Sequence, residues 1–239
     1  MLELSASDPL AISAITAIHA GDVAALESQL REHPDLATAR ILSGRCQGGG
    51  ARTLLHIVTD YPGNYPNGVA IVETLVAAGA NVNATFGGAH TETPLHWAAS
   101  CDDVAVLDKL LDLGADIEAP GAVIAGGTPL ADAVAFGQWK AARRLIERGA
   151  KANLWQAAAL GLMDRVEAYF ATEPAPTADE ITQAFWLACH GGQRGTAEYL
   201  LERGADINWV GYDNLTPLGA AERSEATDLV GWLQERGAR

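Results

Sequence analysis

Between Thr93 and Asp116 the chain runs through two apolar patterns, one short and one long. In the first, "TPLHWAAS", Leu95, Ala98 and Ala99 make a tight face, with His96 and Trp97 side by side between them. In the second, Val104, Leu107, Leu110 and Leu111 recur at helical spacing among charged residues, which predicts an amphipathic helix. Thr93 stands where a helix N-cap is expected, and Pro94 falls in a first turn whose missing N–H costs nothing. Gly114 stops the second helix with a left-handed cap that would strain a side chain. The pattern predicts two helices joined by a short turn, followed by an extended connector.

The unit recurs. "TLLHIVT" begins at Thr53, "TPLADAV" at Thr128 and "TPLGAAE" at Thr216. The second helices stop at Gly79, Gly114, Gly149, Gly204 and Gly237, spaced by 35, 35, 55 and 33 residues. The long gap holds a degenerate copy, "NLWQAAALGLMDRVEAYF" (153–170), and "AISAITAIHAGDVAALESQL" (11–30) is another at the front. Seven units result, starting near residues 12, 53, 93, 128, 152, 183 and 216. One such unit cannot bury its own apolar face, but a stack can.

These motifs resemble those of ankyrin-repeat proteins, best at 93–118, then at 128–153, 183–208 and 53–83. The resemblance extends over nearly all of residues 10–239. It implies an all-α solenoid of about seven helix-turn-helix units in a single domain, 1–239, with hairpin-like projecting loops and the first and last units as caps. Glu27, Arg31 and Glu32 in front, and Glu222, Glu225 and Asp228 behind, supply the polar outer faces that caps need. The connectors "ATFGGAHTE" and "PGAVIAGG" are longer than the family pattern, and long loops are expected at 46–52, 61–68 and 84–92.

The resemblance also assigns roles. His56 and His96 match the histidine that ties a helix to the neighbouring connector. The concave groove of the family maps onto Arg52, Asp60, Tyr61, His90, Glu92, Cys101, Phe136, His190, Tyr212 and Asp213. Trp97 occupies a normally packed apolar position, as a core indole or a stacking surface. Trp155 and Trp186 take the histidine position in consecutive units, either filling space or, if exposed, forming an aromatic shelf. Asp132 occupies the slot of Trp97 one unit later. An acid there must be paired, open to the groove, or raised in pKa.

Composition narrows the partners. Of 239 residues, 49% are hydrophobic and 19% charged, an ordinary globular balance. A net charge of −14 argues against nucleic acid and anionic membrane, which need clustered Lys and Arg, and suits a basic partner. The start lacks a basic n-region, and no apolar run reaches the roughly 18 residues of a membrane span. Cys46, Cys101 and Cys189 are widely spaced, which suits a reducing cytoplasm and gives no disulfide framework or metal cluster. No P-loop, HExxH, paired CxxC, EF-hand or GxSxG pattern occurs, and no cofactor is expected.

The reading is a cytosolic interaction scaffold that binds a partner protein in its concave groove. The alternative is a small-molecule binder or enzyme with a pocket on the same face, walled by the long loops and lined by Trp155, Trp186, Phe136 and Asp132. The candidate catalytic groups would then be His56, Asp60, His96 and Asp132.

Overall fold

The structure, a computed structural model, describes residues 2–43 and 50–239. Its helices come in pairs. The first four pairs are α1 (Pro9–Ala20) with α2 (Val23–Glu32), α3 (Leu54–Thr59) with α4 (Gly68–Ala77), α5 (Pro94–Ser100) with α6 (Val104–Asp112), and α7 (Pro129–Ala135) with α8 (Trp139–Glu147). Three more follow: α9 (Leu154–Leu160) with α10 (Met163–Phe170), α11 (Ala178–His190) with α12 (Arg194–Leu201), and α13 (Pro217–Arg223) with α14 (Thr227–Glu235). The chain divides into two compact units, one ending at Ala150 and the other spanning Lys151–Arg239.

In the first unit the leading helices pack in a row, α1 on α3, α3 on α5 and α5 on α7; the second helices form a parallel row, α2 on α4, α4 on α6 and α6 on α8. In the second unit α9 packs on α11 and α11 on α13, with α10 against α12. The leading helices approach closely because the buried face is built from Leu95, Ala98, Ala99, Leu130 and Ala133. The second helices contribute branched side chains such as Val106, Leu107 and Leu110, each at most 2% exposed. The chain is thus an all-α stack of helix pairs in each unit, as the repeat pattern implies.

Gly79, Gly114 and Gly149 have φ of +102°, +91° and +101°, and a Cβ on any of them would meet nothing within 4 Å. Backbone conformation therefore demands glycine there, and space does not. Polar ties between neighbouring helix pairs reinforce the rows. Arg144 Nε donates to Asp108 at 2.7 Å, and Arg148 bridges Asp108 at 2.8 Å and Asp112 at 2.7 Å, which pins α8 to α6.

Three features fall outside the sequence reading. A small sheet joins β1 (Glu3–Ser5), β2 (Arg40–Ser43) and β3 (Gly50–Arg52), with β1 parallel and β3 antiparallel to β2. Ala51 and Gly87 then exchange backbone hydrogen bonds of 2.7 and 2.8 Å, which carries this pairing to the next connector. Helix α11 starts at Ala178, ahead of the expected position 183, because Thr177 and Glu180 form a capping box.

The loops are held at several points. Phe86 N donates to Glu92 O at 2.7 Å and Ala122 N to Gly127 O at 3.0 Å, closing hairpin-like turns. In the 61–68 stretch, Asn64 N donates to Asp103 Oδ2 at 2.8 Å, and the stretch ends in the first residue of α4. Of the loop expected at 46–52, residues 46–49 lie outside the described residues, and the rest is β3. Glu27, Arg31, Glu32, Glu222, Glu225 and Asp228 are all exposed.

Leu110 is fully buried between the helix rows. Leu110→Ala is expected to destabilise the first unit by about 2–5 kcal/mol, read by urea unfolding followed by circular dichroism.

Candidate binding site

The leading helices of the first unit are joined to the connectors by imidazoles. Thr53 N donates to His56 Nδ1 at 3.3 Å, and His56 Nε2 lies 3.1 Å from the carbonyl of Glu92, at the end of the following connector. Thr93 N donates to His96 Nδ1 at 3.1 Å, and His96 Nε2 lies 3.4 Å from Gly127 O. Because Nδ1 accepts, Nε2 carries the proton and donates, so both rings are neutral. Burial accordingly pushes the His56 pKa down to about 3 and lowers that of His96. Both side chains are fully buried, with each ring nitrogen committed to the joint.

Trp186 makes the same joint in the second unit. Its Nε1 donates to Leu215 O at 2.8 Å, the carbonyl just before the next capping threonine. At 2% exposure it is no part of an open aromatic shelf. Trp155 does not share this role. The cap of α9 is Asn153, and Gln156, three residues on, closes its capping box. The turn after α9 is one residue shorter than the turn after α5, so counting back from the second helix shifts the register onto Trp155. Trp155 instead lines a cavity of about 630 Å³ with Tyr169, Pro174, Pro176 and Gln183.

Glu92 is the largest departure from expectation. It is only 5% exposed, not an open groove acid. Its Oε2 accepts from Trp97 Nε1 at 2.7 Å and lies 3.0 Å from His90 Nδ1; its Oε1 accepts from Val123 N at 2.9 Å. Phe86 stacks on His90 at 4.5 Å, and His56 meets Trp97 edge-on at 4.9 Å. Asp132, on α7, is fully buried beside this carboxylate. Neither of its oxygens has a donor in hydrogen-bond geometry among the described residues. Burial first, then the Glu92 charge and a side-chain interaction with Glu92, push the Asp132 pKa up to about 8; the Ile124 backbone opposes this. The buried setting thus favours the protonated form of Asp132.

Beside this acid pair opens a cavity of about 200 Å³, lined by Asp60, Tyr61, Glu92, Trp97, Cys101, Val123 and Phe136 among others. Tyr61 is 85% exposed, Phe136 50% and Val123 49%, so an apolar rim surrounds an acidic floor. Asp60 is paired with Arg52. Cys101 is half-buried, donates to Thr59 O, and has its pKa pushed up to about 11 by burial and by Asp60 and Asp103. The structure thus gathers Asp60, Tyr61, Glu92, Trp97, Cys101 and Phe136, with Asp132 behind.

His190, Trp186 and Tyr212 belong to the second unit. There Tyr212 meets Trp186 edge-on at 5.1 Å, and Arg223 bridges Asp213 at 2.5 Å and His190 Nδ1 at 3.4 Å. Val123 was missed by sequence reading, since nothing in "PGAVIAGG" marks which apolar residue faces out. No group of three His, Cys, Asp or Glu among the described residues is arranged to hold a metal ion.

Repeated helix pairs joined by a ring nitrogen to the next connector define a helical-repeat protein. The family model described as ankyrin repeats (3 copies) matches residues 55–156, and the one described as ankyrin repeat matches 184–212. The chain belongs to the ankyrin-repeat family. It is 30% identical over 185 residues to an ankyrin repeat and KH domain-containing protein of Caenorhabditis briggsae, covering 74% of this chain and 7% of that protein. It is 52% identical over 54 residues to the RelA-associated inhibitor of Mus musculus, covering 23% of this chain and 6% of that protein. The chain matches only these small fractions of its relatives' lengths.

The Asp132 pKa is raised above its unfolded value, so its share of stability is fully present below the unfolded value of about 4. That share is lost as pH rises through about 8. Asp132→Asn is therefore expected to gain on the natural protein with rising pH, by about 1–3 kcal/mol near pH 9, measured as the difference in unfolding free energy across the range.

Proposed function

We propose that the chain binds a partner protein, and that the cavity rimmed by Tyr61, Val123 and Phe136 is where a segment of that partner docks. Ankyrin repeats generally mediate protein–protein interaction. The observation that carries the reading is the gathering of three exposed large apolar side chains around one acidic cavity. Exposed aromatic residues over a small pocket are the usual anchors of protein interfaces. A chain of net charge −14 with Glu92 and Asp60 on the cavity wall favours a partner segment with a basic residue among apolar ones. The name of the mouse relative records association with RelA, which supports the same use of the repeats. The free thiols of Cys101 and Cys189 suit a reducing, cytosolic setting.

Of the catalytic candidates, His56 and His96 hold their ring nitrogens in joints, Asp60 is paired with Arg52, and Asp132 is fully buried. A second reading, small-molecule binding, rests on the cavity of about 630 Å³ beside Trp155, which is within the size range of ligand sites. A metabolite that raises the melting temperature and perturbs a signal lost in Trp155→Phe would support it.

The docking reading is tested at the rim. Tyr61→Ala with Phe136→Ala is expected to weaken partner binding by roughly 2 kcal/mol or more while leaving the melting temperature unchanged. Affinity capture with natural and variant chains reads this out; equal recovery of the same partners by both would remove the cavity from the interface. Charge reversal at Glu92 is no substitute, because that side chain is buried in the joint.

A further inference from the structure

Arg40, the first residue of β2, is half-buried and ties its strand to the neighbouring backbone. Its Nη1 donates to Ala51 O at 3.3 Å and to Thr85 O at 2.5 Å. That stitching uses one face of the guanidinium. Nε and Nη2, which share the opposite edge, donate to nothing among the described residues. Neither is sealed from solvent, as Arg52 Nε is. Arg52, Arg144, Arg148, Arg194 and Arg223 each meet a carboxylate; among the described residues Arg40 meets none. Residues 44–49 contain no Asp or Glu that would supply one.

Arg40 lines a cavity of about 260 Å³ with Thr38, Thr53, Asn81, Asn83 and Thr85, and no acidic residue lines it. Thr53 is committed to His56, and Asn83 to Gly114 O and Asp116 N. Asn81 is different. Its Oδ1 accepts from Asn83 N at 2.9 Å, which leaves its amide N–H groups without a partner among the described residues. The Thr85 side chain is exposed, and its hydroxyl is likewise unpartnered there. We propose that this cavity binds a phosphate group, seated on the Nε–Nη2 edge of Arg40 and completed by the Asn81 amide and the Thr85 hydroxyl. It shares no lining residue with the cavity rimmed by Tyr61, Val123 and Phe136, so either proposal can fail without the other.

A guanidinium drawn half out of water loses hydration without gaining a counter-charge, and an oxyanion supplies one. The open edge presents two parallel N–H groups, the arrangement that meets two oxygens of one anion. Phosphate suits the wall better than carboxylate. A phosphate monoester carries about −1.5 to −2 charge at pH 7 and three acceptor oxygens, so one remains for Asn81 or Thr85 after two meet the guanidinium. A carboxylate has no third oxygen. The volume lies below the range of roughly 300–1,000 Å³ that holds drug-sized ligands. With about 30 Å³ as the share of one water, it takes a phosphate and the short stem of its ester. The net charge of −14 gives no long-range attraction for an anion, so binding rests on contact geometry.

The test uses the full chain, labelled with nitrogen-15, at a pH above the second phosphate pKa of about 6. The Arg40 Nε–H resonance, assigned with Arg40→Lys, and the Thr85 backbone amide report occupancy. Potassium phosphate, acetyl-Ala-phosphoserine-Ala-amide, the same peptide without phosphate, and potassium acetate are titrated at equal ionic strength. Saturable shifts are expected with the two phosphate probes. Arg40→Lys keeps a donor for the stitching and loses the paired edge. It is expected to weaken binding about tenfold or more, the loss of one charge-assisted hydrogen bond. Asn81→Asp keeps the acceptor for Asn83 N and puts a carboxylate on the wall; it should abolish binding, and it decides the matter even if Arg40→Lys folds poorly. Tighter binding of the phosphopeptide supports the site and assigns it to a phosphorylated side chain. Tighter binding of inorganic phosphate supports it as a site for free phosphate. No saturable shift with either probe, or undiminished affinity in a folded Asn81→Asp, overturns the site. Acetate or the unphosphorylated peptide binding as tightly overturns the choice of phosphate.

Discussion

The architecture depends on a hydrogen bond from a buried ring to the carbonyl just before the next capping residue. The carbonyl that ends each connector joined in this way already accepts from a backbone N–H of its own turn, and burial leaves its second lone pair in need of a donor. His56 and His96 answer this in the first unit, Trp186 in the second. The ring is fixed at its other side by its own helix cap for the two histidines, so the joint sets the step from one pair to the next.

Glu92 shows how one such joint becomes a binding feature. Its carbonyl serves His56, and its side chain collects Trp97, His90 and Val123. Four segments therefore meet at one residue, and the cavity beside it has walls that the fold itself holds in place. Preorganised walls reduce the ordering cost of binding. The same gathering seals Asp132 away from water, where a carboxyl group is most comfortable as a neutral acid.

Much of the fold was legible because its signals are local. Thr93 with Pro94, the stops at Gly79, Gly114 and Gly149, and the spacing of Val104, Leu107 and Leu110 each act within one or two turns of helix. The small sheet was not, since three-residue strands far apart in the chain carry no periodicity. Trp155 was misplaced because Asn153 is a less familiar cap than threonine and the following turn is short by one residue. Exposed rim residues Tyr61 and Phe136 were found by family position, whereas the burial of Glu92 was not. A glutamate reads as surface until its donors, which come from distant segments, are in place.

The exchange of imidazole for indole at the joint separates the two units in acid. An imidazole that takes up a proton can no longer accept at Nδ1, so the joint at His56 weakens as pH falls from the unfolded value of about 6.5 toward about 3, and the joint at His96, its pKa also lowered by burial, weakens in acid too. Trp186 has no basic nitrogen to titrate. Acid stress thus meets one unit whose seams dissolve and another whose seam is inert. The same step between helix pairs is built in one unit with a ring that titrates and in the other with a ring that pH does not touch.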